Sequence, residues 1–302
     1  MMTELIQQAV PVRQVAIVGG THGNELIGVY LVKLFEQSPE LIQRTSFQSR
    51  ILLANPEAVT RGRRYVEQDL NRCFGLDDLN RAPATYEARQ AQAIYQFLKP
   101  DGQQPVDLIL DLHSTTANMG LTLILASYHP FNLRLAAYLS SLNPSVKIYC
   151  WPQAASSPFL RSICALGCAI EVGPVAQGVL NAALFHQTQT LIMQILDYIE
   201  ACNQHQLPPS PDRITLYQAI ETVDYPRDDQ GEIQAMIYPQ LQDRDYEPLE
   251  PDQPMFITFQ GETIPYGGSS TVYPVFINEA AYYEKKIAMC LTQKQVIQIA
   301  SP

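Results

Sequence analysis

The sequence predicts an α/β fold followed by a smaller, mostly β C-terminal domain. Apolar, β-branched segments alternate with helix-like segments from residue 13 to about residue 205, a proline-rich segment then interrupts this pattern, and short β-prone pieces follow. The chain has 302 residues, 46% of them apolar, which suffices for one large core and a smaller second one. We therefore expect a larger α/β domain over residues 1–207 and a smaller, β-rich domain over residues 208–302.

The order of the predicted elements favours a largely parallel sheet with helices on both faces. Strand-like segments cover residues 15–20, 50–54, 106–112, 121–127, 146–151 and 168–172. Helix-like spacing of apolar residues covers 25–37, 86–98, 131–141 and 180–202. The three prolines of QLPPSPDR at 206–213 end this alternation, and β-prone pieces such as PMFITFQG follow.

Composition excludes several classes of function. The formal net charge of −10 and the sequence pI near 5.0 disfavour binding to nucleic acid or to an anionic membrane. The apolar runs are shorter than the roughly 20 residues of a spanning helix, and MMTELIQQAV lacks the basic start of a signal peptide. We expect a soluble, cytoplasmic protein. Its six cysteines form no CxxC pair, which favours reduced structural thiols.

The segment VAIVGGTHGNE at 15–25 places His22 and Glu25 on a turn between a strand and a helix. Ligands gather at this edge of an open α/β sheet, although such a pair can also be a simple hydrogen bond or a helix N-terminal acid. The segment VDLILDLHSTT adds His113 at the end of another strand, at the same edge. Two histidines and a glutamate form the open coordination sphere of hydrolytic zinc.

The segment CAIEVGP places Glu171 in the middle of an apolar strand. A lone carboxylate is rarely buried without a partner, so a structural salt bridge is one interpretation. The other is that Glu171 faces the metal, where burial raises its pKa into a range useful for moving a proton from water to a leaving amine.

The segment RGRRYVEQDLNRCF concentrates positive charge in an acidic chain. It contains four arginines, which are Arg61, Arg63, Arg64 and Arg72. Guanidinium groups match carboxylates bidentately, so the segment favours a small anionic substrate. The same arginines could instead pair with the acidic residues Glu67, Asp69, Asp77 and Asp78. We expect Arg61 and Arg63 to form such pairs or to face solvent.

Six segments together resemble one known family. GGTHGNE, NPEAV, RYVEQDLNR, DLHSTT, AIEVGP and VYPVFINEAAYYEKK are similar to segments of the aspartoacylase and succinylglutamate desuccinylase family of zinc hydrolases. They extend from about residue 14 to residue 286. The resemblance implies a carboxypeptidase A-like fold, one zinc ion per subunit, and a homo-oligomer that is a dimer or larger. It also implies hydrolysis of an N-acyl-L-aspartate, such as N-acetyl-L-aspartate, to a carboxylate and L-aspartate through a metal-activated water.

The resemblance also assigns roles to individual residues. It makes His22, Glu25 and His113 the zinc ligands, Glu171 the general base and acid, and Arg64 the group that polarises the acyl carbonyl. It makes Asn71, Arg72 and Arg161 the residues that hold the two substrate carboxylates. Tyr282 from the C-terminal domain would bind the substrate by reaching over the same pocket. The family's C-terminal domain narrows the channel to the metal and thereby excludes peptides. Here Tyr282 and Lys285 are expected to face that channel.

One position departs from the family pattern. Animal aspartoacylases carry a tyrosine four residues before the equivalent of Arg161, whereas this chain has Ser157. A shorter side chain loses a hydrogen bond or widens the pocket, so the choice of acylated amino acid stays open. The alternatives are a deacylase of a succinylglutamate or an acetylated aromatic residue, and a noncatalytic zinc-dependent binder of acidic metabolites.

Overall fold

The computed structural model describes residues 11–100, 105–151 and 157–299. The first two-thirds of the chain contributes β1 (Gln14–Gly19), β2 (Gln48–Leu53), β3 (Leu108–Ser114), β4 (Gly120–Leu125), β5 (Val146–Cys150) and β6 (Cys168–Gly173). The helices are α1 (Leu26–Gln37), α2 (Pro56–Arg61), α3 (Leu76–Asn80), α4 (Tyr86–Leu98), α5 (Pro130–Leu142) and α6 (Ala182–Asn203). Short 3-10 turns cover Pro39–Leu41, Leu70–Arg72 and Leu160–Ile163. The predicted strands and helices are present with ends within about two residues, whereas the short α2 and α3 were not predicted.

The rest of the chain is mostly β. It contains β7 (Arg213–Val223), β8 (Ala235–Ile237), β9 (Pro254–Thr258), β10 (Thr263–Pro265), β11 (Tyr273–Val275), a 3-10 turn (Ala280–Lys285) and β12 (Met289–Gln298). The strand β12 was not predicted, because its second half is polar and only Val296 and Ile297 interrupt the glutamines. Its partner β7 covers it along its whole length, so pairing compensates for the weak pattern.

The large sheet is mixed and spans both parts of the chain. Its nine strands follow the order β11, β12, β7, β5, β4, β6, β3, β1, β2, and a second sheet has the order β10, β9, β8. The strands β1, β2, β3 and β6 are parallel, while β4 runs antiparallel to β6. The C-terminal part joins the large sheet where Tyr149 pairs with Tyr217.

Alternating side chains divide the core between the two faces of the large sheet. Val15 and Ile17 pack in the same cluster as residues of α1, α5 and α6, while Ala16 and Val18 pack with residues of α4. Farther along the second face, which is the face of Ala16 and Val18, residues of β4 and β5 pack against C-terminal residues such as Phe276. This second face carries the site described next. No helix in the described ranges has the length and apolar character needed to cross a membrane.

Candidate active site and metal centre

The turn between β1 and α1 positions His22 and Glu25. Gly20 adopts φ +68, a left-handed conformation that favours glycine. Gly23 lies against α2 so closely that an added Cβ would meet the carbonyl carbon of Ala58 at 2.2 Å. The glycines therefore let the turn bend sharply and approach the neighbouring helix, which places both predicted ligands at the end of β1.

Two adjacent strands supply the opposite side of the site. His113 on β3 is in register with Glu171 on β6. Asp111 lies two residues before His113 and so shares its face of the sheet. All three side chains are buried. Alternation along β3 and its register with β6 therefore bring one histidine and two carboxyl groups to one face.

The three predicted metal ligands converge. The Nδ1 atom of His22 lies 2.7 Å from Oε1 of Glu25, and the Nδ1 atom of His113 lies 2.9 Å from Oε2 of the same carboxylate. The two Nδ1 atoms are 3.2 Å apart. One ligand atom from each residue lies within 4.8 Å of the others, so this group could hold a metal ion.

Two carboxylates hold the far sides of the histidine rings, and neither was predicted to do so. Oδ1 of Asp69 lies 2.9 Å from Nε2 of His22, and Oδ2 of Asp111 lies 2.8 Å from Nε2 of His113. Such carboxylates fix the ring orientation and leave the facing nitrogen available as a ligand. Asp111 could have been found from the sequence, because it is an isolated charge within the apolar strand before His113.

The electrostatics of this group suit a divalent cation. Burial alone would lower the pKa of His113, but Asp111 and Glu25 raise it well above its usual value. Burial opposes ionisation of Glu25, yet the two histidines lower the pKa of Glu25 well below its usual range. A cluster of buried carboxylates that favours positive charge this strongly, with imidazole and carboxylate donors facing one point, fits a zinc ion.

Glu171 lies on the cavity wall beside this centre. Among the described residues its carboxyl has no ion pair of 4 Å or less, so the salt-bridge interpretation finds no partner there. Burial raises the pKa of Glu171 well above its usual value, and the negative charge of Glu25 acts in the same direction although His113 opposes it. A carboxylate with a raised pKa accepts a proton more readily than one in water, which is what a general base needs.

Arg64 joins the metal centre to the next loop. Its Nη1 donates to Oε1 of Glu25 at 2.9 Å, and its Nη2 lies 3.5 Å from Oδ2 of Asp69. Lys285 also contacts Oδ2 of Asp69, at 2.6 Å. Arg64 therefore does pair with Asp69, as one interpretation expected, but it also lines the cavity. Burial opposes the charged form of Arg64, and Glu25 and Asp69 more than compensate, so its pKa rises.

Arg72 and Arg161 form a second positive region in the same cavity. Each guanidinium lies 4.4 Å from the centroid of the Phe159 ring, a residue that was not predicted to contribute. Arg161 is 5% exposed, and its Nε has no hydrogen-bond partner among the described residues. Burial lowers the pKa of Arg161, and the nearby charge of Arg72 lowers it further. By contrast, Arg61 pairs with Glu57 and Arg63 faces solvent.

Asn71 connects these two regions. Its Oδ1 accepts from the backbone N of Leu160 at 2.9 Å, which fixes the segment that carries Arg161. Its Nδ2 lies 3.4 Å from Oδ2 of Asp111 and 3.3 Å from Nε2 of His113. Asn71 thus contacts both the metal centre and the segment that carries Arg161. It also lines the cavity.

The C-terminal part closes the cavity with the turn that contains Tyr282 and Lys285. The ring of Tyr282 packs on Phe276 at 5.2 Å between centroids. The turn is attached by Glu279, whose Oε2 accepts from the backbone N of Thr116 at 2.7 Å and from the hydroxyl of Thr115. Glu279 was not predicted, although it directly precedes the turn in NEAAYYEKK.

The remaining candidates lie elsewhere. Ser157 is buried and is not among the described residues that line the cavity. The other histidines, which are His129, His186 and His205, take no part in a metal-ligand group within the described ranges. The six cysteines are free thiols. The cavity has a volume of about 110 Å³, which suits a small molecule.

Two family models match the chain. The model of the succinylglutamate desuccinylase/aspartoacylase catalytic domain matches residues 11–199, and the AstE/AspA barrel-sandwich hybrid domain matches residues 212–294. Together they cover almost the whole chain, with the metal-ligand group in the first match and Tyr282 in the second.

Individual relatives agree with this assignment. A probable aspartoacylase of Acaryochloris marina is 54% identical over 95% of this chain and 98% of its own length. The human N-acyl-aromatic-L-amino acid amidohydrolase (carboxylate-forming) is 44% identical over 94% of this chain and 91% of its own. The crystal structure of murine aminoacylase 3 superposes with a TM-score of 0.90 and 42% identity, covering 96% of this chain and 98% of that one. The chain therefore belongs to the succinylglutamate desuccinylase/aspartoacylase family.

Proposed function

We propose that this protein is a zinc-dependent deacylase that cleaves N-acyl-L-aspartate, such as N-acetyl-L-aspartate, to a carboxylate and L-aspartate. The relatives support the broader statement that it hydrolyses N-acyl amino acids. The observation that carries the narrower proposal is one cavity that holds a His-Glu-His group, a buried glutamate and two arginines without a carboxylate partner among the described residues.

His22, Glu25 and His113 would hold the zinc ion. When bound, zinc would polarise the acyl carbonyl and lower the pKa of the attacking water toward about 7. Asp69 and Asp111 keep the two imidazoles oriented by hydrogen bonding to their far nitrogens. These contacts support a site built for a tightly held ion.

Glu171 would take the proton from the attacking water and pass it to the aspartate amine. Its position beside His113 and the upward shift of its pKa support this role. Arg64 would stabilise the negative charge that develops on the carbonyl oxygen. Because Glu25 and Asp69 hold its guanidinium in place before the reaction, little reorganisation is needed when that charge appears.

Arg72 and Arg161 would bind the two carboxylates of an acylated aspartate, with Asn71 and Tyr282 beside them. Two guanidinium groups and two carboxylates balance in charge. A substrate with one carboxylate would leave one cation in this buried region without a counter-charge. This balance favours an acidic substrate, and the turn of Tyr282 and Lys285 over the cavity favours a small one.

A second candidate is hydrolysis of acylated aromatic amino acids. The cavity lining includes the apolar side chains of Ile124, Phe276 and Ile287. The human relative named for aromatic substrates is 44% identical to this chain.

Substrate profiling of purified protein tests the proposal. Release of free amino acid would be measured from N-acetyl-L-aspartate, N-acetyl-L-glutamate, N-succinyl-L-glutamate and N-acetyl-L-phenylalanine, before and after chelation and again after zinc is restored. We expect chelator-sensitive release with the highest kcat/KM for the aspartate derivative. A higher kcat/KM for another substrate would reject the proposed specificity for acylated aspartate but would still support a deacylase. Tight binding of acetylaspartate by zinc-loaded protein without release of free aspartate would reject the proposal that the protein is an enzyme.

A further inference from the structure

Tyr149 is a buried residue of the cavity that the proposed function does not use. It lies on β5, is 1% exposed, and is one of the cavity-lining residues. Its hydroxyl oxygen is buried and finds no hydrogen-bond partner among the described residues that meets normal geometry. The Cys290 thiol is beside it, but sulfur is a weak hydrogen-bond partner.

The strand register brings Tyr149 to the side of the cavity where Arg161 lies. On the face of the sheet that carries the site, Asp111 is in register with Ala169, Ala169 with Ile124, and Ile124 with Tyr149. These four side chains form one row across the cavity floor. Arg161 lines the same cavity as Tyr149, and the two side chains are close enough for each to influence the charge of the other.

Two polar groups that line the cavity therefore lack an oxygen or nitrogen partner within the described part of the chain. They are the Nε of Arg161 and the hydroxyl of Tyr149, and both are buried. Burial raises the pKa of Tyr149 well above its usual value, so the phenol keeps its proton and can donate it to a hydrogen bond. A buried donor without an acceptor is costly, and a pair of them at the end of a cavity is typical of a site whose acceptor arrives with the ligand.

The surrounding walls limit what that acceptor can be. Phe276 packs edge-on to the Tyr149 ring with 6.0 Å between centroids, and Trp151 does so at 6.4 Å. Ile124 and Ala169 complete an apolar surface. A carboxylate carried on a short side chain can satisfy both donors here, whereas an apolar side chain leaves both unsatisfied.

We infer that Tyr149 is a specificity-determining residue whose hydroxyl, together with Arg161, holds the side-chain carboxylate of the substrate. This inference rests on the proposed deacylation of an acylated aspartate.

The test is the Tyr149→Phe variant, which removes one oxygen. The kcat/KM would be measured for N-acetyl-L-aspartate and for N-acetyl-L-leucine, whose side chain has a similar shape without charge; where leucine turnover is too slow, its derivative is assayed as a competitive inhibitor. We expect kcat/KM for the aspartate derivative to fall about 10- to 100-fold, mainly through KM, as for a lost hydrogen bond to a charged group. Affinity for the leucine derivative should be unchanged or increased.

Stability separates this role from a structural one. Because the Tyr149 hydroxyl has no oxygen or nitrogen partner among the described residues, Tyr149→Phe should leave the thermal midpoint unchanged or raise it. Tyr246→Phe is the matched control: Tyr246 lies in the same apolar cluster, but its hydroxyl is hydrogen-bonded to Oγ1 of Thr122 at 2.9 Å. That control should lower the midpoint and leave the selectivity between the two substrates unchanged.

Each outcome is decisive. Equal losses on both substrates, no loss on either, or destabilisation by Tyr149→Phe would overturn the inference while the proposed function stands. A wild-type protein that hydrolyses other acyl amino acids but not acetylaspartate would instead refute the proposed function, and this inference with it.

Discussion

The two ends of the cavity differ in how their polar groups are satisfied. At the metal end most of the described side chains are linked to one another: Asp69, for example, contacts His22, Arg64 and Lys285, and the Nε of Arg64 is the exception without a partner. At the other end Arg161 and Tyr149 both have buried donors that find no partner among the described residues. Groups that satisfy each other in the free protein are pre-organised for chemistry, whereas unsatisfied groups await a ligand. Substitutions at the two ends should therefore differ in kind as well as in size.

The largest loss of activity is expected on substitution of Glu171, which lies beside His113. Glu171→Gln keeps the shape but cannot accept the proton, so kcat should fall about 1,000-fold or more. Zinc content, measured by elemental analysis, should stay at one ion per subunit. Turnover near the wild-type level would reject the role of Glu171, and loss of zinc would place it among the groups that maintain the metal centre.

Arg161→Met should impair substrate binding without disturbing the metal end of the cavity. Removing a buried guanidinium that has no carboxylate partner should reduce kcat/KM for the aspartate derivative about 100-fold or more, yet leave the free energy of unfolding unchanged or higher. Arg64→Met is the contrasting variant, because it leaves Glu25 and Asp69 without a shared cation and should destabilise the protein. Urea unfolding of both variants gives the comparison. Similar destabilisation by both would show that the two ends do not differ.

Asp111→Asn should weaken the metal end while leaving the substrate end intact. Loss of the carboxylate that holds His113 is expected to reduce zinc affinity about 10- to 100-fold, measured by competition with a chromophoric chelator. Asp107→Asn is the control on the segment leading into β3, since its carboxylate accepts from the backbone N of Arg13 and Gln14 instead. Unchanged zinc affinity in Asp111→Asn would contradict the role given to Asp111.

Glu279→Ala should loosen the C-terminal turn over both ends. It leaves the backbone N of Thr116 and a buried hydroxyl without an acceptor, so we expect about 2 kcal/mol less stability and a higher KM. Glu284→Ala, whose carboxylate contacts only the exposed Tyr65 hydroxyl among the hydrogen bonds described, should change stability by less than about 0.5 kcal/mol. Equal effects of the two variants would remove the special role of Glu279.

The smallest expected effect concerns the pH dependence of kcat/KM. Burial raises the pKa of Glu171 above the usual 4.5, and the reaction needs its ionised form, so kcat/KM should fall as the pH drops through that raised pKa. The acid limb of the profile should therefore lie above pH 4.5. An acid limb at or below that value would assign it to another group.

Local patterns made some parts of the molecule predictable. Val15 to Val18 and the spaced apolar residues of α1 bury their side chains as their periodicity indicates. By contrast, β12 is held by its long pairing with β7, and its polar second half carries little signal of its own. The strands β7, β11 and β12 of the C-terminal part also extend the large sheet, which no local pattern indicated. Such pairing depends on residues far apart in the chain.

By itself, the sequence determined the alternating elements, the turn with His22 and Glu25, and the strands that end in His113 and contain Glu171, because each depends on residues close together in the chain. Only the tertiary structure decided that Asp111 and Asp69 hold the histidines, that Glu279 attaches the C-terminal turn, and that Tyr149 and Arg161 line one cavity. The reason is physical. A side chain's partners are set by strand register and sheet order, and these follow from the packing of the whole chain.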